Sequence, residues 1–303
     1  MSEQHPPTAA VLEQFITADD LVVLVRRVRE EDMGPDEVDV TSEVIDPPSG
    51  RVSAAMRARQ AGVLAGAAAI RTIAEVYDPA IAVTDVMADG SRLAVNSVVA
   101  RLHGPLASIV AAERVMLNLV GRLCGIATLT AAYVDAVRGT KAKIYDTRKT
   151  TPGLRAMEKY AVTCGGGCNH RMGLYDAVLV KDNHLAHLSA AELRGFVTQL
   201  VDRAGARRPR PTFVEVEVDT LEQLEHVLPC GLDRVLLDNM PPEVLAQAVQ
   251  RRDRVAPRVA LEASGGVSLK TVRAIAQSGV DMISVGALTH SALSLDVGLD
   301  VES

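Results

Sequence analysis

Positively charged side chains are concentrated in one part of an otherwise acidic sequence. The chain of 303 residues has a formal net charge of −6 at pH 7, yet the stretch from Asp146 to His184 is rich in cations. Crowded cations repel one another unless a multiply charged anion binds among them, so this stretch predicts a strongly anionic ligand. Solvated charges on loops explain many single Lys or Arg residues, but they explain a cluster poorly. The cluster consists of Arg148, Lys149, Arg155, Lys159, His170, Arg171, Lys181 and His184.

Two carboxylates further along the chain supply the opposite charge. Glu217 lies in the run FVEVEV, and Asp238 follows the run RVLL. Carboxylates that face cations could hold Mg²⁺, bind ribose hydroxyls, or stabilise positive charge that develops on an anomeric carbon. A structural salt bridge to a neighbouring Lys or Arg is the alternative that the residues leave open.

Two glycine-containing segments, Ser264-Gly265-Gly266 and Ser284-Val285-Gly286, each follow a short hydrophobic run. Glycine lets backbone N–H groups approach a phosphate closely, and barrel enzymes often bind a phosphate in the loops after their last strands. The two segments together predict a phosphate site.

All these residues follow hydrophobic runs that alternate with helical patterns, which predicts parallel strands in a barrel or an open doubly wound sheet. A barrel is favoured because the strand ends would then surround one mouth, and because Glu215 and Glu217 share a face opposite three valines. The predicted strands are AKIYDT, AVLVKD, FVEVEV, RVLLDN, VALEASGG and MISVGA, and the clearest helices are LEQLEHVL, PPEVLAQAVQRR and SLKTVRAIAQSG.

The first third of the chain has a different pattern. Residues 19–31 have the apolar spacing of a surface helix with an acidic start, and residues 51–101 form short β-like runs with an Asp89-Gly90 turn. We therefore expect an antiparallel sheet with helices packed on it. The Ala- and Leu-rich stretch at 106–139 predicts consecutive helices, with breaks at Gly121 and Gly125, that link two domains.

Composition excludes several classes of protein. An acidic chain has no bulk positive field for nucleic acid or an anionic membrane. The N-terminal segment MSEQHPPTAAVLEQ lacks the pattern of a secretory signal, and apolar windows such as Ala61–Ile70 are too short to span a membrane, so we expect a cytoplasmic protein. Cys164 and Cys168 with nearby His170 could indicate zinc, but the spacing is unusual and no fourth ligand is evident, so reduced thiols are favoured.

An ordered series of motifs resembles the quinolinate phosphoribosyltransferase family and covers nearly the whole chain. It begins with an N-terminal segment from Glu30-Glu31-Asp32 to Asp39-Val40-Thr41-Ser42. The longest motifs are DTRKTTPGLR at 146–155 and EKYAV at 158–162, followed by Gly165-Gly166-Gly167, Asn169-His170-Arg171, Gly173-Leu174 and Lys181-Asp182-Asn183-His184. Glu215-Val216-Glu217-Val218-Asp219, Leu237-Asp238-Asn239, Glu262-Ala263-Ser264-Gly265-Gly266 and VGALTH at 285–290 complete it in the same order.

The resemblance implies an α/β protein with an N-terminal α/β sandwich over residues 1–116 and an open, incomplete TIM-like α/β barrel over residues 117–287. It further implies that segment 288–303 packs back on the sandwich. The implied substrates are quinolinate and phosphoribosyl pyrophosphate, bound with Mg²⁺ and without an organic cofactor. The implied assembly is a homodimer, and a higher assembly is left open.

The resemblance also implies a role for individual residues. Arg148, His170, Arg171 and Lys181 should bind the two carboxylates of quinolinate, and Arg114 should reach the site of the neighbouring subunit. Thr147 is a further substrate-binding residue. Lys149 should contact the pyrophosphate-bearing substrate, and Lys149, Glu217 and Asp238 are the implied catalytic residues. Glu217 and Asp238 should serve the ribose and the metal, directly or indirectly, and the implied 5-phosphate ligands are Ser264, Gly265, Gly266, Gly286 and Ala287.

Two rival functions remain after the sequence has been considered. A relative of the same fold could transfer phosphoribose to another pyridine or act in molybdenum metabolism, but Arg171 together with Lys181 favours quinolinate. A non-catalytic sensor of quinolinate or a nucleotide would not need Glu217 and Asp238.

Overall fold

The computed structural model describes residues 11–45, 50–185 and 188–302. Residues 1–10, which form most of the N-terminal segment that lacks the pattern of a secretory signal, lie outside these ranges. The start of the predicted 1–116 domain and the end of the predicted 288–303 segment therefore also lie outside them. The chain forms two compact units. Unit 1 contains the described parts of Met1–Ala131, Thr151–Gly166 and Ser291–Ser303, and unit 2 contains those of Ala132–Thr150 and Gly167–His290.

The described residues form α-helices, β-strands and short 3₁₀ helices. The α-helices are α1 (Ala18–Met33), α2 (Val40–Ile45), α3 (Ile70–Tyr77), α4 (Leu106–Ala136), α5 (Arg155–Cys164), α6 (Asp182–Leu185), α7 (Ala190–Ala206), α8 (Leu221–Val227), α9 (Pro242–Val255), α10 (Val272–Gln277) and α11 (Ala287–His290). The strands are β1 (Arg51–Ala58), β2 (Gly62–Val63), β3 (Ala82–Thr84), β4 (Arg92–Leu93), β5 (Val98–Pro105), β6 (Lys143–Tyr145), β7 (Val178–Val180), β8 (Val214–Val218), β9 (Arg234–Asp238), β10 (Ala260–Ser264), β11 (Met282–Ser284) and β12 (Val297–Glu302). Short 3₁₀ helices lie at Leu12–Gln14, Ala67–Ala69 and Leu228–Cys230.

Unit 1 contains the predicted antiparallel sheet, with the strand order β12-β1-β5-β3. The last described strand of the chain, β12, pairs antiparallel with β1 along its whole length, from Ala58 opposite Val297 to Ser53 opposite Glu302. The predicted surface helix is α1, which begins where the Thr17 side chain accepts the Asp20 N–H and which packs on α3. Met56, Leu102 and Ile73 are fully buried between the sheet and the helices.

Helix α4 contradicts the prediction of breaks at Gly121 and Gly125, because it runs without interruption from Leu106 to Ala136. A Cβ on Gly125 would lie 1.9 Å from the Leu293 carbonyl oxygen, and one on Gly121 would lie 2.8 Å from that of Leu295. The two glycines therefore allow a distant segment to pack against the helix backbone. This helix is long and apolar enough to cross a membrane by length and composition, but 61% of its most apolar window is buried, so packing accounts for its composition.

Unit 2 contains a six-stranded parallel sheet in the order β6-β11-β10-β9-β8-β7. The first strand of this unit lies beside the last one, which is the neighbour relationship of a barrel, while β6 and β7 are the two edges. All six predicted strands are present, and their polar carboxyl ends lie at one end of the sheet. The α/β fold with an antiparallel sheet followed by an open, incomplete barrel is therefore confirmed.

Candidate active site

A cavity of about 740 Å³ lies at the carboxyl ends of the parallel strands of unit 2. Every residue that was given a substrate-binding, catalytic or metal role lines it, with the exception of Arg114, whereas Arg155, Lys159 and His184 of the cationic cluster do not line it. The lining residues with such a role are Thr147, Arg148, Lys149, His170, Arg171, Lys181, Glu217, Asp238, Ser264, Gly265, Gly266, Gly286 and Ala287. The cavity therefore brings together side chains that are spread over more than 100 residues of sequence.

Asp146, at the end of β6, fixes the segment that carries His170. Its carboxylate is fully buried and accepts the His170 backbone N–H at 2.8 Å and the Asn169 side-chain amide at 2.6 Å. The Asp146 backbone N–H in turn donates to the Cys168 carbonyl oxygen. Because one carboxylate ties a loop to a strand end, the positions of His170 and Arg171 follow from the sheet.

Arg171, which is buried, and Arg148, which is half-buried, form a pair of like charges. Arg171 is 9% exposed, and burial followed by the nearby Arg148 charge lowers its pKa. The structure shows no ion pair for either guanidinium within residues 11–45, 50–185 and 188–302, and Arg148 Nε is buried without a hydrogen-bond partner. Two cations in this arrangement favour a bound anion, because its charge offsets their repulsion and its oxygens accept their N–H groups.

His170 lies between two buried carboxylates at the base of the cavity. Its Nε2 is 3.1 Å from Glu215 Oε2 and 3.2 Å from Glu262 Oε2, and its ring meets the Phe213 ring edge to face. Burial alone would lower the pKa of His170, but the two carboxylates raise it to about 9. Burial and the neighbouring Glu262 charge likewise raise the pKa of Glu215 to about 7. The three groups therefore hold protons in common at neutral pH.

The tautomer of His170 follows from its second nitrogen. The Arg171 N–H donates to His170 Nδ1 at 2.9 Å, which requires an unprotonated Nδ1 and places the ring proton on Nε2, between the carboxylates. The additional proton that the raised pKa of His170 represents is therefore shared between Nε2 and the Glu215–Glu262 pair and is not held on Nδ1. Although the His170, Glu215 and Glu262 ligand atoms lie within 4.8 Å of one another, a protonated Nε2 has no lone pair for a metal.

Lys181 and Glu217, which both line the cavity, form an ion pair with each other. Lys181 Nζ lies 2.8 Å from Glu217 Oε2, and the lysine side chain is 48% exposed. Asp238 lies close by at the end of β9, where burial and then the charges of Glu217 and Asp219 raise its pKa. Asp238, whose ionisation the neighbouring Glu217 charge disfavours, and Glu217 together offer oxygen donor atoms, which fit a hard divalent cation such as Mg²⁺.

The glycine segments lie where their sequence predicted. Gly265 and Gly266 follow β10 with φ angles of 91° and 58°. Gly286 follows β11, and a Cβ there would lie 3.0 Å from Lys149 Cδ and 3.2 Å from His290 Nε2. Thr289 Oγ1 donates to the Lys149 carbonyl oxygen, which holds that backbone against the loop. Gly286 thus leaves room for Lys149 and His290, while at Gly266 a Cβ would meet no atom within 4 Å, so the backbone there is open to a ligand.

Arg114 does not line this cavity and belongs to unit 1. It is exposed on α4 and lines a groove of about 500 Å³ with residues of α2 and with apolar side chains of α4.

The cysteines give zinc no support, since burial raises the pKa of Cys168 and raises that of Cys164 to about 12. Thiols rather than thiolates are thus present at neutral pH.

Several cavity residues were not predicted from the sequence. Glu262 and Asn239 belong to motifs that were recognised, but no role was given to them. Ser284 lies in a segment that was predicted to bind phosphate, but it was given no role of its own. The other unpredicted lining residues are Leu179, Leu236, Val267 and His290. Glu215 was expected only to face the lumen, and it lies fully buried against His170 without lining the cavity.

Family models match both parts of the chain. The model described as "Quinolinate phosphoribosyl transferase, N-terminal domain" matches residues 39–124, and "Quinolinate phosphoribosyl transferase, C-terminal domain" matches residues 126–300. Together they cover most of the sequence, including every residue that lines the cavity.

Individual relatives agree with the family models. The "Nicotinate-nucleotide pyrophosphorylase [carboxylating]" of Mycobacterium leprae is 46% identical over 279 residues, which is 91% of this chain and 95% of the relative. The "Probable nicotinate-nucleotide pyrophosphorylase [carboxylating]" of Bacillus subtilis is 42% identical over 245 residues, which is 80% of this chain and 81% of the relative.

A solved structure, that of the nicotinate-nucleotide pyrophosphorylase from Francisella tularensis, superposes with a TM-score of 0.85 at 33% identity, over 98% of this chain and 100% of that one. The family predicted from the ordered motifs is confirmed by all three comparisons. This chain belongs to the quinolinate phosphoribosyltransferase family, in both its N-terminal and its C-terminal domain.

Proposed function

We propose that the protein transfers phosphoribose from phosphoribosyl pyrophosphate to quinolinate, with loss of CO₂, and forms nicotinate mononucleotide and pyrophosphate as a step of NAD biosynthesis. The names of the relatives support this activity. The observation that carries it is the Arg148–Arg171 pair, which lines one cavity together with Lys181 and the Glu217 and Asp238 carboxylates. One side of the cavity suits a dicarboxylate, and the other suits a ribose with a metal.

Quinolinate would bind at the cationic side. The planar guanidinium groups of Arg148 and Arg171 match carboxylates in a bidentate geometry, and Lys181 adds a point charge. His170 donates its Nε2 proton to Glu215, so we assign it to the shape and charge of the pocket floor. Thr147, whose hydroxyl accepts the Lys149 N–H, completes this side of the cavity.

Phosphoribosyl pyrophosphate would bind across the cavity. Its 5-phosphate suits the backbone N–H groups of Ser264, Gly265, Gly266, Gly286 and Ala287. Lys149, which is exposed beside Gly286, is placed to contact the pyrophosphate. Glu217 and Asp238 would hold Mg²⁺, directly or through water, and face the ribose. When bound, Mg²⁺ offsets negative charge on the pyrophosphate as it leaves.

The residues act mainly by position and charge. As pyrophosphate departs, the ribose gains oxocarbenium character, which the Glu217 and Asp238 carboxylates stabilise. Arg148 and Arg171 hold the pyridine ring so that its nitrogen faces the anomeric carbon. The resulting pyridinium stabilises the carbanion left when the adjacent carboxylate leaves as CO₂, and this carbon then takes a proton from water to give nicotinate mononucleotide. This chemistry needs no organic cofactor and no general base.

We infer further that the active enzyme is at least a homodimer in which Arg114 of one subunit reaches the quinolinate pocket of the other. The exposed position of Arg114 on α4, in unit 1, supports this arrangement. Its groove is bordered by apolar residues that are largely exposed, among them Val40, Ile45 and Val110. A partner subunit would cover them. The cytoplasmic location stays a prediction.

The decisive experiment supplies quinolinate, phosphoribosyl pyrophosphate and Mg²⁺ and measures nicotinate mononucleotide and CO₂ together. We expect both products in equal amounts. Nicotinate, which lacks the 2-carboxylate, should be a far poorer substrate because a buried cation would be left without its anion. Comparable turnover of nicotinate would overturn the assignment to quinolinate, and no turnover of either acid would overturn the enzymatic function.

A further inference from the structure

Asn239 stands between the two parts of the cavity that are assigned to phosphoribosyl pyrophosphate. It immediately follows Asp238 at the end of β9 and lines the cavity. Its backbone N–H donates to the Ser264 carbonyl oxygen at 2.9 Å, at the start of the glycine segment after β10. Asn239 therefore connects the C-terminal end of β9, where Asp238 lies, to the proposed phosphate loop.

The side chain of Asn239 is oriented by Asp238. Its Nδ2 lies 2.6 Å from Asp238 Oδ2. An ionised carboxylate only accepts hydrogen bonds, so the amide must present its N–H₂ group to Asp238 and its oxygen to the opposite side. That oxygen lies above Gly265, where a Cβ would come within 2.1 Å of it. The amide is thus held between Asp238 and a position that only glycine can occupy.

The backbone of Asn239 adds a second constraint. Its φ angle is 53°, in the left-handed region that glycine and asparagine adopt more readily than other residues. Glycine would meet the backbone requirement as well or better. Asparagine has an amide that glycine lacks, and in this structure the amide donates a hydrogen bond to Asp238.

We propose that Asn239 is a positioning residue for the phosphoribosyl half of the site: its amide holds Asp238 Oδ2, so that Oδ1 is directed to the ribose and the metal at a fixed distance from the Ser264-Gly265-Gly266 loop. This inference rests on the proposed function. It concerns one substrate only, because Asn239 is bonded to Asp238 and Ser264 and to none of the cations assigned to quinolinate.

The test compares two substitutions in the full-length enzyme. Asn239→Gly keeps the left-handed backbone and removes the amide, whereas Asn239→Asp keeps the size and presents an acceptor to Asp238. Since a hydrogen bond to a charged group is lost, kcat/KM for phosphoribosyl pyrophosphate should fall about 10- to 100-fold in Asn239→Gly. It should fall further in Asn239→Asp, with a higher Mg²⁺ concentration needed for half-maximal rate. The Kd for quinolinate, measured by calorimetry, should stay within about twofold of wild type, because the two hydrogen-bond partners of Asn239 are both assigned to the other substrate.

Asn96 provides a matched control. It is also an exposed asparagine with a positive φ angle, 68°, but it lies in unit 1. Asn96→Gly should leave kcat, both KM values and quinolinate binding unchanged.

Wild-type kinetics in Asn239→Gly would overturn the proposal, because the backbone conformation alone would then explain the residue. Loss of quinolinate binding in parallel with turnover in both variants would also overturn it, because the effect would be general disruption. If Asn239→Gly does not fold, Asn239→Asp gives the same comparison. A wild-type enzyme without turnover would instead remove the proposed function.

Discussion

Lys181 Nζ lies 2.8 Å from Glu217 Oε2, so a cation assigned to quinolinate and a carboxylate assigned to the ribose are paired with each other. Glu217 is 7% exposed, while the lysine side chain is 48% exposed. A carboxylate of quinolinate must therefore compete with Glu217 for Lys181. The two halves of the site are coupled through this one ion pair.

Glu217→Gln should lower turnover without weakening quinolinate binding. The loss of a carboxylate that stabilises the oxocarbenium character of the ribose should reduce kcat about 100-fold. Lys181 would be released, and because a half-exposed pair contributes about 0–1 kcal/mol, the Kd for quinolinate should stay the same or tighten by up to about fivefold. Steady-state kinetics and calorimetry measure the two effects separately.

Asp219→Asn is the matched control for this change. It removes one negative charge near Asp238, but it breaks no pair with Lys181, and the side chain is exposed. Turnover and quinolinate binding should stay close to wild type. A Glu217→Gln enzyme with full turnover and weakened quinolinate binding would show that Glu217 belongs to the pyridine side.

Hybrid dimers should recover activity from two inactive parents. Arg114→Ala and Lys149→Ala should each nearly abolish activity: both side chains are exposed in the free subunit, but bound substrate would bury them, and losing one partner of a buried charge pair costs about 2–5 kcal/mol. In a hybrid, one site contains an intact Lys149 and an intact Arg114 from the partner, while the other has both defects. Random reassembly makes about half the dimers hybrid, so the mixture should regain about a quarter of wild-type activity. Hybrids as inactive as their parents would rule out the shared site.

Gly125→Ala and Gly195→Ala should change stability in opposite directions. Both glycines lie inside helices, α4 and α7, but a Cβ at Gly125 would lie 1.9 Å from a carbonyl oxygen while one at Gly195 meets no atom within 4 Å. Overpacking should cost about 1–3 kcal/mol at Gly125. At Gly195 alanine should stabilise by about 0.5–1 kcal/mol, since it restricts the unfolded chain. Thermal unfolding midpoints report both, and a lower midpoint for Gly195→Ala would contradict the argument.

Asp281→Asn should remove part of the acid sensitivity of unfolding. Burial would raise the pKa of Asp281, but the Leu261 N–H at 2.9 Å and the cations of Lys141 and Arg252 lower it overall. A carboxyl whose pKa is lower in the folded state stabilises the fold above its unfolded pKa, and this contribution is lost as pH falls through the folded value.

The variant should therefore be about 1–3 kcal/mol less stable than wild type at pH 7, since buried Arg252 loses one of its two charged partners and keeps only Asp253. In strong acid the difference should shrink. Urea unfolding at a series of pH values measures it, and a difference that does not depend on pH would contradict the assignment.

Much of the site could be predicted from sequence, because the polar residues that form it directly follow hydrophobic strands. Asp238 is the last residue of β9, and Lys181 directly follows β7. Parallel pairing of the strands alone therefore brings both residues to one edge of the sheet. The contacts of Glu215 could not be predicted this way, since its partner His170 is 45 residues away on a loop that Asp146 fixes.

Contacts between distant parts of the chain also explain the error in α4. Gly121 and Gly125 have the local signature of helix breaks, and nothing near them in sequence indicates that residues 293–295 pack against them. Asn239 is a similar case. Its φ angle and its bond to Asp238 follow from how the end of β9 meets the loop after β10. Local patterns thus located the residues but not their partners.

The pairing of β12 with β1 has a consequence for the order in which the protein can fold. During synthesis, β1 emerges with one edge open, and its partner at residues 297–302 appears only after all six strands of the parallel sheet have been made. The N-terminal sheet thus combines early and late segments in a contact of very high sequence separation, which slows folding. Until then the open edge of β1 could pair with another nascent chain, so a trigger factor or similar holdase should raise the yield of native enzyme.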